Sequence, residues 1–349
     1  MHLFKKPKSS LGLDIGSSMV KVVKMTGKEN EFVLESFAIE PIPEGAVQSG
    51  EIKDPSGLAH AALAAVTRCD PQSKDVVVAL PNYAILSEVL TMNIVPEKQM
   101  REAVLVEAEQ MSAFDLNDVE IDYAVLERDE SSGKMKVLMV VAKNDIIYSY
   151  IDFLNEAGLR PVILDVDLFA LTNIVDLNYD FEKYKTCVIL NIGFETTVAA
   201  FLKSGIFHSS RNISVAGITF QKELEKVPDL SVPKIHEILK GAVGANQDVD
   251  MLSKALNKAN KEFVNAVGVA LSYFQASDTV DRIDLILLAG GFAWAPGLIN
   301  ALELRTGAEV VILDPFTKIK LKEGLVEKGD PRKLGTVLSV AMGLATRSH

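Results

Sequence analysis

Cysteine, tryptophan and histidine are scarce in this chain, with 2, 1 and 5 copies among 349 residues. Cys69 and Cys187 have neither metal-ligand nor disulfide spacing, which fits a reducing compartment. His2, His60, His208, His236 and His349 are scattered without ligand spacing, so a metal site built on histidine is excluded. An excess of positive charge is also missing. The net charge is −11, which excludes wholesale nucleic-acid binding, because neutralising phosphates requires surplus Lys and Arg. The local exception is a basic tip, Lys5, Lys6 and Lys8, read as a solvated terminus. Long apolar runs are absent. The longest candidate, Leu285 to Ile299, is broken by Gly290, Gly291 and Pro296 and falls short of the roughly 18 residues of a membrane span. Met1 to Ser10 is short and basic, and the apolar stretch after it meets Asp14, so no signal peptide is expected. What remains is ordinary globular composition, 48% hydrophobic and 24% charged, at a length that suits two domains or one fold with two lobes.

One pattern occurs twice. LGLDIGSSMVK, Leu11 to Lys21, returns in degenerate form as VILNIGFETTVA, Val188 to Ala199. Asp14-Ile15-Gly16 aligns with Asn191-Ile192-Gly193. Each copy is an apolar run, a carboxylate or its amide, a glycine and then hydroxyls, which predicts a strand, a tight turn and a second strand. Such a turn offers backbone N–H groups and hydroxyls to an anion, and its acidic residue stands where a hydrated Mg²⁺ would sit. Two copies, one in each half of the chain, predict a duplicated fold that clamps a nucleoside triphosphate.

Between the copies, Pro81 to Arg160 reads as an insertion of strand, helix, hairpin and helix. Its first helix is expected over Glu97 to Phe114, with Met100, Val104, Leu105, Ala108 and Met111 on one face. The acidic stretch Asp115 to Asp122 reads as a solvated loop. A turn is expected at Gly27 to Asn30, helices over Leu168 to Val175, Asp248 to Ser277 and Lys333 to Arg347, and a buried strand over Asp284 to Leu288. Three further constellations bear chemistry. RNISVAG, Arg211 to Gly217, is a small-residue turn, and in HEILKG Glu237 and Lys240 share a helix face, open to ribose contact or to a surface ion pair. In LLAGGFAWAPGL, Leu287 to Leu298, Gly290-Gly291 follows a buried strand and a helix is expected near Pro296. Trp294, just past the glycines, suits either an adenine neighbour or a core position.

The order of these parts resembles the actin, Hsp70 and sugar-kinase superfamily. Within it the chain is similar to the FtsA-like branch and above all to the PilM family of type IV pilus assembly, whose opening reads LGLDIGSSSVK; Leu11 to Lys21 departs from that only at Met19. The chain closes at AMGLATRSH without the amphipathic tail typical of FtsA. The resemblance implies an α/β actin-like ATPase fold, two lobes round a nucleotide cleft with an α+β inserted subdomain. One lobe core would comprise 1–81, 161–185 and 333–349, and the insert 82–160. The other lobe core would take 186–220 and 283–332, with a helix-rich subdomain at 221–282. It implies ATP or ADP with Mg²⁺ as cofactors. Asp14 would hold Mg²⁺ through water. Gly16, Ser17, Ser18 and Lys21 would meet the phosphates from one lobe, and Gly193, Thr196 and Thr197 from the other. Gly217 would touch phosphate or sugar, Glu237 and Lys240 the ribose, and Gly290 and Gly291 the adenine. Gly343 falls where the family keeps a small residue for close helix packing.

Asn191 departs from the family's usual second Asp, and Ala216 from the first of a Gly pair. An amide keeps an acceptor oxygen but loses the charge and basicity that would orient water, so slow or absent hydrolysis is expected, with Asp14 and Asn191 the catalytic positions. The implied function is a cytoplasmic adaptor of pilus assembly. It would bind the cytoplasmic N-terminal peptide of a PilN-type inner-membrane protein against the module near Leu86 to Ala142, with other pilus-assembly proteins as further partners. No nucleic acid and no direct membrane insertion are expected, and the partner would recruit the protein to the inner membrane. The alternatives are an FtsA-like filament-forming ATPase and a small-molecule kinase. The second needs a catalytic carboxylate that Asn191 does not supply.

Overall fold

The computed structural model describes residues 9–28, 31–48, 50–111, 115–241, 249–278, 280, 282–326 and 329–347. The basic tip Lys5, Lys6 and Lys8, the turn residues Glu29 and Asn30, the expected helix end at Phe114, the helix start at Asp248, and His2 and His349 lie outside the described residues.

The first half builds β1 (Ser9–Ile15), β2 (Met19–Lys28), β3 (Glu31–Pro41), the short β4 (Val47–Gln48) and β5 (Glu51–Ile52), α1 (Pro55–Cys69) and β6 (Asp75–Leu80). Asp54 caps α1, its Oδ1 accepting from Gly57 N at 2.9 Å, and proline supplies the first helical position. The insertion follows as β7 (Ile85–Asn93), α2 (Met100–Gln110), β8 (Val119–Asp129), β9 (Lys134–Lys143) and α3 (Asn144–Glu156). Then come β10 (Arg160–Val166), α4 (Asp167–Asn178), β11 (Thr186–Ile192), β12 (Thr197–Lys203), β13 (Ile206–Ile213), α5 (Gly217–Leu224), α6 (Val232–Leu239) and α7 (Val249–Asp278). β14 (Leu285–Ala289), α8 (Leu298–Thr306), β15 (Glu309–Ile312), β16 (Lys320–Leu321) and α9 (Pro331–Ala345) complete the fold.

The duplication read from two short segments extends to whole sheets. One sheet runs β10-β6-β1-β2-β3-β16 and the other β13-β12-β11-β14-β15. In each, an antiparallel meander is followed by two parallel strands, and the repeated pattern occupies the first hairpin, β1 with β2 and β11 with β12. The parallel strands are the apolar runs, as burial on both faces demands: DVVVAL in β6 and LILLA in β14.

Helices α4 and α9 lie between the sheets. One core cluster joins Val23 and Val77 of the first sheet, Leu171 and Ile174 of α4, Leu338 and Leu344 of α9, and Ile189 and Leu287 of the second sheet. The helices touch backbone to backbone at Gly343, where an added Cβ would lie 1.8 Å from the Ala170 carbonyl oxygen. The insertion has its own core, in which Met100, Val104 and Ala108 of α2 pack on Val137, Met139 and Val141 of the sheet β7-β9-β8.

One expectation needs correcting. The acidic stretch Asp115 to Asp122 is not simply a loop. Val119 and Ile121 alternate inward with Glu120 and Asp122 outward, so its second half begins the edge strand β8. The helix expected near Pro296 is present and starts at Leu298, after the left-handed Gly297 that caps it.

Candidate functional site

The register Asp14↔Lys21 places a lysine directly across the first hairpin from the acid. Lys21 Nζ donates to Asp14 Oδ2 at 2.6 Å, and Asp14 is 7% exposed. Gly16 N donates to Met19 O at 3.0 Å and closes the turn, while Ile42 N donates to Ser18 O at 3.1 Å and ties it to the end of β3. Ser17 and Ser18 are half-buried, and among the described residues their hydroxyls have no partner. The turn therefore presents two spare hydroxyls beside a carboxylate–ammonium pair.

The second turn repeats the backbone but not the charges. Gly193 N donates to Thr196 O at 3.1 Å, as Gly16 does to Met19. Val198 faces Asn191 where Lys21 faces Asp14, so this turn has an amide with no cation opposite it. The start of α5 is bonded onto the turn, with Gly217 N to Gly193 O at 3.0 Å and Ile218 N to Phe194 O at 2.8 Å. Thr196 is half-buried. Thr197 departs from its expected role: it is fully buried between strands, and its hydroxyl donates to Val215 O at 2.9 Å, bracing the turn from behind. The amide of Gly217 is likewise committed to the turn, and the Phe292 ring covers its Cα.

The third turn meets the second. Gly290 has φ +89°, and a Cβ there would collide with Ile192 O at 2.4 Å and Asn191 Oδ1 at 2.8 Å, so only glycine lets the turn approach the hairpin this closely. Its N–H donates to Thr336 O of α9 at 3.0 Å. Gly291, by contrast, borders open space. Trp294 Nε1 donates to Thr336 Oγ1 at 3.2 Å, and its ring faces Lys333 Nζ at 5.3 Å and the Arg332 guanidinium at 5.7 Å. Lys333 Nζ also donates to the Gly241 carbonyl at 3.3 Å, joining the start of α9 to the end of α6. On α6, Glu237 pairs with Lys234 at 2.8 Å and not with Lys240, and both Glu237 and Lys240 are exposed.

Beside the first turn lies a residue that sequence reasoning passed over. Asp167 opens α4 and accepts from Leu168 N at 2.6 Å and Asn82 N at 2.9 Å. Burial, and then the charge of Asp14, push its carboxyl up to about 7, against smaller opposing effects from those hydrogen bonds and Lys21. Burial also raises the Tyr83 phenol, with Asp167 of one lobe and Glu195 of the second turn both adding to the shift. Asp167 and Glu195 thus both act on Tyr83, while Asp14 acts on Asp167. Asp167 is a second carboxylate beside Asp14. The only sequence signal was an acid at the start of a predicted helix, which reads equally as a dipole partner.

The charge of Asp167 costs stability in the free protein. Its folded pKa is raised above the usual 3.8 of an aspartate, so the folded state holds the proton more tightly, and stability falls as pH rises from about 4 to about 7. Asp167→Asn keeps the acceptor oxygen and removes the charge. Its stability advantage over wild type, by urea denaturation without nucleotide, is expected to grow by about 2–3 kcal/mol between pH 5 and pH 8. An advantage that does not change with pH contradicts the assignment.

A donor set of one buried carboxylate with nearby hydroxyls suits an ion that keeps most of its water, as Mg²⁺ does. Among the described residues there is no group of three His, Cys, Asp or Glu that could form a protein cage for a metal. Among them, too, no helix is long and apolar enough to cross a membrane.

A family model described as type IV pilus assembly protein PilM matches residues 12–349. A solved PilM-PilN type IV pilus biogenesis complex is similar at 25% identity and TM-score 0.82, over 97% of this chain and 98% of that one. The ethanolamine utilization protein EutJ from Carboxydothermus hydrogenoformans shares the fold at 13% identity and TM-score 0.56, over 98% and 90% of the two chains. MreB 5 of Spiroplasma citri, solved bound to AMPPNP, does so at 14% identity and TM-score 0.51, over 97% and 95%. The fold is therefore the two-lobed actin-like ATPase fold, and a protein sharing it binds an ATP analogue.

Proposed function

The chain belongs to the type IV pilus assembly protein PilM family, and on that premise we propose that it is a nucleotide-holding adaptor of pilus assembly that docks the cytoplasmic N-terminal peptide of a PilN-type membrane protein. The observation that carries the reading is the likeness to the PilM-PilN complex over nearly the full length of both chains. The partner's extended peptide would lie against the inserted module, where a strand-edged α+β unit suits β-type or groove docking. The protein itself would stay cytoplasmic and reach the inner membrane through that partner.

The cleft residues support ATP or ADP with Mg²⁺. Gly16, Ser17 and Ser18 would receive phosphate oxygens from one side, with Gly193 and Thr196 on the other. Lys21 would share its charge between Asp14 and phosphate, and Asp14 would hold Mg²⁺ through water. Gly290, Gly291, Trp294 and Lys333 would frame the base, while Glu237 and Lys240 are free to reach the ribose only by leaving their present surface positions. Bound Mg²⁺ would supply neutralisation of phosphate charge. Asn191 cannot take a proton from water, so turnover would be slow, and Asp167 is the carboxylate best placed to serve any that occurs.

The test is calorimetric titration of the full chain with a synthetic peptide of the cognate PilN-type N-terminus, against a scrambled control. Saturable 1:1 binding of the native order alone is expected. Equal or absent binding of the two peptides overturns the adaptor reading.

A further inference from the structure

Asn82 belongs to three parts of the molecule at once. It follows Pro81 at the end of β6 and opens a single helical turn, Asn82–Ala84, that leads directly into β7 of the inserted module. Its backbone N–H donates to Asp167 Oδ1, beside Asp14, at 2.9 Å. Its side chain crosses to the other lobe, where Nδ2 donates to Asn212 Oδ1 at 3.1 Å and to Ser210 Oγ at 3.3 Å, both on β13. Asn82 is 4% exposed. A buried amide that loses its partners costs more than the bond it made, so breaking this contact carries a penalty.

We propose that Asn82 is a positioning residue that pins the inserted module to the second lobe and carries the coupling between the nucleotide cleft and the partner-binding module. The connection runs both ways from this side chain. Ser210 and Asn212 pair with Ala200 and Val198 of β12, the strand that leaves the second phosphate-type turn. On the other side, Ile85, three residues on, pairs with Ala142 and begins the sheet of the module. A change in the angle between lobes breaks the Asn82–Asn212 contact, releases the turn 82–84 and shifts β7. By reciprocity, a partner that fixes β7 favours the closed cleft and so changes nucleotide affinity by the same factor.

This inference rests on the adaptor reading for its partner, so the experiment has two arms. In the first, affinity for the cognate PilN-type peptide is measured with and without Mg-ATP. Wild type is expected to show at least about a fivefold change. Asn82→Ala and Asn212→Leu bring the ratio near one while each ligand alone still binds, and Asn212→Asp, which keeps the acceptor on an exposed residue, retains it. In the second arm, spin labels at exposed Lys53 and Lys222, each replaced by cysteine, report the interlobe distance with Mg-ATP alone. The distance shortens in wild type and in the Asn212→Asp background, and not with Asn82→Ala. An unchanged ratio in wild type, a ratio that survives Asn82→Ala, or equal loss in both Asn212 variants overturns the proposal. If the peptide does not bind at all, the adaptor reading fails, and the distance arm alone decides the role of Asn82.

Discussion

Asp14→Ala is expected to weaken Mg-ATP binding by about 100-fold, roughly 2.7 kcal/mol, and to abolish its dependence on Mg²⁺. The buried carboxylate is the one acid at the first turn, and a charge pair about 4 Å apart in a partly screened site attracts by about 4 kcal/mol before desolvation is subtracted. The same substitution releases Lys21, which now spends its ammonium on Asp14 at 2.6 Å. Freed, that cation can turn to phosphate. ATP without Mg²⁺ should therefore bind the variant at least as tightly as it binds wild type. Titration in Mg²⁺ and in chelator separates the two effects. A variant that loses binding equally in both conditions would show that Asp14 supports the turn and does not serve the ion.

Gly343→Val is expected to destabilise the protein by about 4 kcal/mol or more, at the upper end of what core overpacking does. The glycine is where α9 touches α4, and a Cβ there would sit 1.8 Å from Ala170 O and 2.4 Å from its carbonyl carbon. Neither helix can yield cheaply, because both are held between two sheets and share one core. Gly291→Ala is the control. No atom lies within 4 Å of its new Cβ, so stability should stay within about 0.5 kcal/mol of wild type. Urea midpoints at matched slopes decide the comparison.

Much of the fold was legible because its strongest signals are local. The paired hairpins announce themselves by an apolar run, an acid or amide, and a glycine, and the parallel strands β6 and β14 are unbroken aliphatic runs bounded by turn residues. Gly343 was expected to serve close helix packing, and it does. The elements that were missed are short or depend on distant partners. β16 is two residues long and exists only by pairing with β3. Helix α5 was hidden because Val215-Ala216-Gly217 reads as a turn, and only its bonds to Gly193 and Phe194 show that it is a helix start docked on the hairpin.

The cleft was legible as a set of turns but not as a set of contacts. Sequence brings Asp14 and Lys21 into one segment, yet the ion pair between them follows from hairpin register. Hydroxyl residues count alike in a sequence, whereas the structure turns Thr197 inward and leaves Ser17 and Ser18 outward. Asp167 and Asn82 lie far in sequence from either turn, and long-range closure of the fold alone puts them beside Asp14 and β13. No local pattern could have marked them.

The most direct test of the account is Mg-ATP binding by calorimetry on the nucleotide-stripped chain, with phosphate release followed on the same sample. Saturable binding with little or no release is expected of a nucleotide-holding adaptor whose second turn carries Asn191. Steady release at a substantial rate would contradict that account and return the protein to the motor or kinase class, and absence of binding would leave the cleft without the role assigned to it.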